Sequence, residues 1–164
     1  MRSSLIRITL VTFLFVFFIS GQLQAQKKSD GRFIAYDNGT VLDTKNGLMW
    51  AAKDNGSNID WADAKSYCEN YRGGGYTDWR MPMQDELAGL YDSSKDGYRP
   101  DCCSDDCSPY IKTTELIHLS CMHLWASETR GDAGAGFFFD VGDRYWGLQL
   151  NDFNSRALPV RFGK

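Results

Sequence analysis

The chain has 164 residues, a net charge of −3 from 18 Lys and Arg against 21 Asp and Glu, 43% hydrophobic residues and five cysteines. That is enough for one globular domain and too apolar for a disordered or collagen-like polymer. The acidic balance excludes a general nucleic-acid or polyanion binder, which needs a basic stripe to displace counterions.

In chain order, the first element is a targeting signal. Arg2 and Arg7 precede the apolar run Ile8–Ser20, and Ala25 offers a small residue at a cleavage point, so residues 1–25 read as a secretory signal peptide. The run is shorter than the roughly 20 apolar residues a membrane span needs. Its removal takes 25 residues and two arginines, leaving 139 residues at net −5. An exported domain follows, periplasmic or secreted, with no membrane span after cleavage. Residues 26–32 are polar and read as a flexible leader, and the folded domain is expected over 33–164.

From Phe33 the pattern is one of short strands. Phe33-Ile-Ala-Tyr36, Thr40-Val-Leu-Asp43 and Leu48-Met-Trp-Ala51 are separated by Asp37-Asn-Gly39 and Lys45-Asn-Gly47, the turn signals of tight antiparallel hairpins. Trp61, Ala64, Cys68 and Tyr71 then recur at helical spacing after the N-cap candidate Asp60, and Gly73-Gly-Gly75 stops the helix. A second helix is expected after Pro82, with Asp85 and Glu86 in its first turn and Leu87, Leu90 and Tyr91 on its apolar face. Met83 stands at its cap position and has no side-chain oxygen for the first amides. After the polar loop Ser93–Ser108, a β-meander is expected over Gly136–Val141, Arg144–Leu150 and Arg156–Phe162. Two helices between groups of antiparallel strands give an α+β domain.

Several of these segments fall in a recognisable order: Asn38-Gly-Thr-Val-Leu-Asp43, Gly47-Leu-Met-Trp50, Trp61-Ala-Asp-Ala64, Tyr67-Cys68, Gly75-Tyr-Thr-Asp-Trp-Arg-Met-Pro82, Glu86-Leu87, Trp125-Ala-Ser127 and Val160-Arg161. This order resembles the Lcl C-terminal domain family, named for the C-terminal domain of a bacterial collagen-like adhesin. The resemblance implies a C-type-lectin-like fold, related in shape to the formylglycine-generating enzyme, in exported bacterial proteins. In the namesake the domain is trimeric and binds sulfated glycosaminoglycans, so an oligomer and a glycan partner are implied. Three departures stand out: Met83 replaces the usual Thr or Ser cap, Pro159 stands where many members carry a cysteine near the end, and the Cys102-Cys103 loop reads as lineage-specific. The mature charge of −5 weakens the transfer of a sulfated ligand.

Five cysteines leave one over. Cys102, Cys103, Cys107 and Cys121 allow three two-disulfide pairings, and Cys68, on an apolar helical face, reads as a buried free thiol. The competing zinc reading, through these thiols with His118 or His123, matches no standard finger spacing. No metal or other cofactor is expected. Calcium has two candidate places: the acidic loop Asp101, Asp105 and Asp106, which lacks the EF-hand pattern, and Asn151-Asp152, which lacks the Glu-Pro-Asn companion of calcium lectins. Gly131-Asp-Ala-Gly134-Ala-Gly136 lacks the Lys-Ser/Thr of a phosphate loop and reads as a hairpin.

Trp50, Trp61, Trp79 and Trp125 are expected in the core. Tyr145 and Trp146 follow a turn beside Asp143 and Arg144, where aromatic faces stack on sugar rings and polar neighbours fix hydroxyls. With Asn151, Asp152 and Arg156 of the next turn they form the candidate ligand surface. The leading functional expectation is a non-enzymatic exported recognition module for a glycan or another cell-surface component. The alternatives are an envelope assembly domain that binds protein and a degenerate enzyme of the formylglycine-generating type.

Overall fold

The Asn-Gly turns organise the first half of the molecule as expected. In the computed structural model, which describes residues 26–102, 110–151 and 154–163, they join β2 (Phe33–Tyr36), β3 (Thr40–Asp43) and β4 (Leu48–Ala51). Gly39 and Gly47 take φ of +79° and +70°, conformations that a side chain would strain. The preceding asparagines lock the turns, since Asn38 Oδ1 accepts from Thr40 N–H at 3.3 Å and Asn46 Oδ1 from Leu48 N–H at 3.1 Å. The expected flexible leader is not free of the fold: Gln26–Asp30 forms β1, antiparallel to β2 with one bulge. The open edge of β2 pairs through backbone groups whatever the side chains are, so a polar run adds to it. Lys95 Nζ holds both Asp30 carboxylate oxygens at 2.9 Å and fixes the strand from outside.

α1 (Trp61–Asn70) starts where Asp60 Oδ1 accepts from Asp63 N–H at 2.8 Å and buries Ala64 and Cys68. It ends at Tyr71, before a 3-10 turn over Gly73–Gly75. α2 (Gln84–Leu90) starts at Met83, whose side chain makes no cap. Two carboxylates do its work. Glu86 reaches back to accept from Met83 N–H at 2.8 Å, and both oxygens of Glu128 accept from Gln84 N–H at 3.0 Å. Glu128 lies 44 residues further along the chain, so this cap is a tertiary one.

The second sheet contains β5 (His123–Arg130), β6 (Ala133–Phe138), β7 (Asp143–Leu148) and β8 (Ser155–Arg156), in the order β7-β6-β5-β8. Here the structure departs from the expected meander. The run 156–162 does not continue beside β7; it splits into β8, parallel to β5 at the far edge, and β9 (Val160–Phe162), antiparallel to β4. Pro159 lies between them and has no N–H to offer a ladder, while its carbonyl accepts from Ala51 N–H at 3.0 Å. The first sheet thus runs β1-β2-β3-β4-β9.

The fold is α+β, as expected. Its main core gathers Trp50, Leu87, Leu90, Ile117, Leu124, Phe137, Phe139, Leu158 and Val160 from both sheets, α2 and the segments that join them. A smaller core of Ala64, Cys68, Met81, Trp125 and Ala157 lies under α1. Burial pushes the free Cys68 thiol up to about 12, which leaves it an inert apolar group. Cys102 and Cys121 are joined in a disulfide, with Cys102 N–H also donating to the Ser120 carbonyl at 3.0 Å. Cys103 and Cys107 lie outside the described residues, as does the segment 1–25. Among the described residues, no helix is long and apolar enough to cross a membrane.

Candidate functional site

The residues expected to form one ligand surface lie at opposite edges of the second sheet. Asp143, Arg144, Tyr145 and Trp146 are on the edge strand β7, and Arg156 is on β8, at the other edge. Along β7 successive side chains face opposite ways, so Tyr145 and Trp146 do not share a face. Tyr145 stacks on Phe138, centroids 4.3 Å apart, and packs against Trp125 at 5.9 Å and His123 at 6.1 Å. Burial raises its hydroxyl to about 12. Gly136 exists for this ring: a Cβ there would stand 2.2 Å from it. Gly134 does the same for Trp61, with a Cβ only 2.4 Å from the indole. The glycine-rich stretch thus receives aromatic rings. Trp146 is half-buried with the Arg130 guanidinium 3.9 Å above its ring. Arg144 is exposed and bonds to Asp85 at 2.6 Å; Asp143 and Asn151 are exposed, and Asp152 lies outside the described residues.

Arg156 opens a different site. A polar cleft of about 380 Å³ is lined by Lys53, Asp54, Gly56, Asp101, Cys102, His118, Ser120 and Arg156. Residues 52–54 run beside 118–120, with His118 N–H donating to Ala52 O at 2.9 Å and Asp54 N–H to His118 O at 3.3 Å. This pairing brings Asp54 to Ser120. Oδ2 of Asp54 accepts from Ser120 N–H at 2.7 Å, and Oδ1 from the Ser120 hydroxyl and Gly56 N–H, both at 2.9 Å. The Ser120 hydroxyl in turn accepts from Arg156 Nε at 2.9 Å. Arg156 Nη1 donates to Asn58 Oδ1 at 2.5 Å and Ser155 O at 3.2 Å.

Arg156 is only 6% exposed, and its hydrogen bonds among the described residues all end on neutral oxygens. Burial pulls its pKa below the ordinary guanidinium value, and the Asp54 charge opposes that pull. On the rim, His118 stacks on Tyr98 with the planes 15° apart, and its Nε2 lies 3.3 Å from Asp101 Oδ2. The Tyr98 hydroxyl donates to Ile117 O at 3.0 Å and accepts from Leu119 N–H at 2.7 Å, which holds the loop that carries His118. The disulfide ties Cys102, and with it Asp101, to the same loop.

The cleft therefore sets buried, hydrogen-bonded ionic groups beneath exposed ones. Such a lining suits a small hydroxylated ligand, each polar atom having a fixed partner. Sequence reasoning reached Arg156 by its place in a turn, Asp101 as a calcium candidate and His118 as a zinc candidate. Cys121, which the zinc reading needed as a thiolate, is spent in the disulfide. Asp54 and Ser120 were missed, the only sign of Asp54 being the loop Asp54-Asn-Gly. Elsewhere, Arg80 grips Glu86 with both terminal nitrogens at 2.7 and 2.6 Å, and buried Arg161 grips Asp78 at 2.7 and 3.0 Å.

Comparison with known families matches the Lcl C-terminal domain over residues 39–161. The chain belongs to the Lcl C-terminal domain family. No curated protein and no solved structure matches the chain. All eight cleft residues of this Lcl C-terminal domain lie within the matched span. Family membership and the Cys102–Cys121 disulfide together point to a bacterial domain that works outside the cytoplasm.

Proposed function

We propose that this Lcl C-terminal domain is an exported, non-enzymatic recognition module with a C-type-lectin-like architecture, which binds a glycan or another cell-surface component in the Arg156 cleft. The observation that carries this reading is the chain Arg156–Ser120–Asp54, a buried ionic network whose groups are oriented before any ligand arrives. Pre-oriented donors and acceptors lose little freedom on binding, which favours a ligand made mostly of hydroxyls. Asp101 and His118, with side chains 74% and 47% exposed, supply the adaptable contacts above it.

A glycan array probed with the domain and with Asp101→Asn tests this. The expected result is saturable binding to a defined glycan, weakened about tenfold in the variant, as fits the loss of a charged hydrogen-bond acceptor. Undiminished binding by Asp101→Asn, or no glycan bound at all, would overturn it. A second reading, an envelope assembly domain, is favoured by one observation. Leu148, the last residue of the edge strand β7, and Leu150, in the turn after it, are 62% and 91% exposed, and β7 pairs on one side only among the described residues, the kind of edge that adds a partner's strand. Co-purification of one envelope protein, lost in Leu150→Lys, would support that reading instead.

A further inference from the structure

We propose that the ligand of the Arg156 cleft is a sugar acid of single negative charge, its carboxylate seated on Arg156 and its hydroxyls on Asp101 and His118. This rests on the reading of the cleft as the recognition site and adds the chemical class of the ligand. The first support is the state of Arg156. A guanidinium this deeply buried is costly unless a counter-charge meets it, and its hydrogen-bond partners among the described residues are Ser120, Asn58 and the Ser155 carbonyl. Those bonds occupy Nε and Nη1. Nη2 has no acceptor among the described residues, and Arg156 lines the cleft.

The second support is the state of Asp54. Its carboxylate is near enough to be felt electrostatically by Arg156, but its oxygens are taken up by Ser120 and Gly56. It therefore offsets the charge from a distance and leaves the two Nη2 hydrogens of the guanidinium for a ligand carboxylate. Lys53, exposed on the rim, adds a second cation.

The remaining lining limits what that acceptor is attached to. About 380 Å³ suits one sugar ring. Asp54 and Asp101 match Arg156 and Lys53 in number, so every negative charge on the ligand beyond the one seated directly on Arg156 meets repulsion from the two carboxylates. Asp101 accepts hydrogen bonds and so favours a hydroxyl-bearing body over a bare anion.

The test is titration of the ¹⁵N-labelled domain with D-glucuronate, with D-glucose, which differs from it by lacking the carboxylate, and with inorganic sulfate. The expected result is saturable shifts of the amides at 54–56 and 118–120 with glucuronate, at least tenfold weaker binding of glucose, and no saturable shift there with sulfate. Because Arg156 is buried and its variants risk misfolding, exposed Lys53→Gln serves as the probe. It should weaken glucuronate several-fold, and an unchanged glucuronate affinity would overturn the carboxylate assignment. Equal affinity for glucose and glucuronate, or saturable sulfate binding at these amides, would overturn the carboxylate assignment while leaving the cleft as the site. No shift at 54–56 and 118–120 with either sugar would overturn the cleft reading as well.

Discussion

The hairpin strand β7 and the Arg156 cleft lie at opposite edges of one sheet, and they divide the features that sequence attributes to a single binding surface. β7 has the aromatic residues, but its most suggestive ring, Tyr145, stacks on Phe138, packs against Trp125 and serves the core. The cleft has almost no aromatic lining, yet it holds the buried guanidinium and the network that orients it. An aromatic residue beside a turn is ambiguous because stacking on a sugar and stacking on a neighbouring strand use the same ring face. What separates the two cases is the small residue opposite: Gly136 leaves the space that Tyr145 fills.

The sharpest way to break this contrast is Tyr145→Ala. Removing a ring that stacks on Phe138 and packs against Trp125 and His123 should cost about 3 kcal/mol of stability, read by urea denaturation. A variant of unchanged stability that had lost glycan binding would return the site to β7. Next in size is the disulfide. Replacing Cys102 and Cys121 together by Ser should cost about 3 kcal/mol by the loop-entropy argument for a separation of 19 residues, and should also weaken the cleft, because Asp101 loses its anchor. Thermal unfolding with and without reductant provides the measurement, and equal midpoints would contradict it.

A smaller effect of opposite sign is expected at Met83. Met83→Thr places an oxygen at the start of α2, where Glu86 and Glu128 already serve the neighbouring amides. A gain of about 0.5–1 kcal/mol by urea denaturation is expected, with no change at either edge of the second sheet. A loss of stability would mean that the half-exposed Met83 side chain packs better than it caps.

These differences also show what was legible in the sequence. The hairpins of the first sheet, both helices and the buried tryptophans could be read because their causes are local: Asn-Gly turns, an Asp cap, apolar spacing of three and four. The division of 156–162 between two sheets could not, although Pro159 marked the break, because nothing local says which sheet each half joins. β1 was invisible for a related reason, since its pairing is determined by the open edge of β2 and its own side chains are polar. The Glu128 cap and the cleft were hidden by distance along the chain. Asn58 and Arg156, whose side chains bond, are 98 residues apart, and the loops carrying Asp101 and His118 are drawn together by the Cys102–Cys121 bond.

The central claim is that recognition belongs to the cleft and not to the hairpin. The most direct measurement compares two exposed single variants on the same glycan array, His118→Ala in the cleft and Arg144→Ala on β7. Both should stay folded: Arg144→Ala loses an exposed ion pair and should keep its stability within about 0.5 kcal/mol of the parent, while His118→Ala also loses its stacking on half-buried Tyr98 and should cost about 1 kcal/mol. The account predicts that His118→Ala loses about tenfold in affinity and that Arg144→Ala binds as the parent does. Loss of binding in Arg144→Ala with full retention in His118→Ala would contradict it.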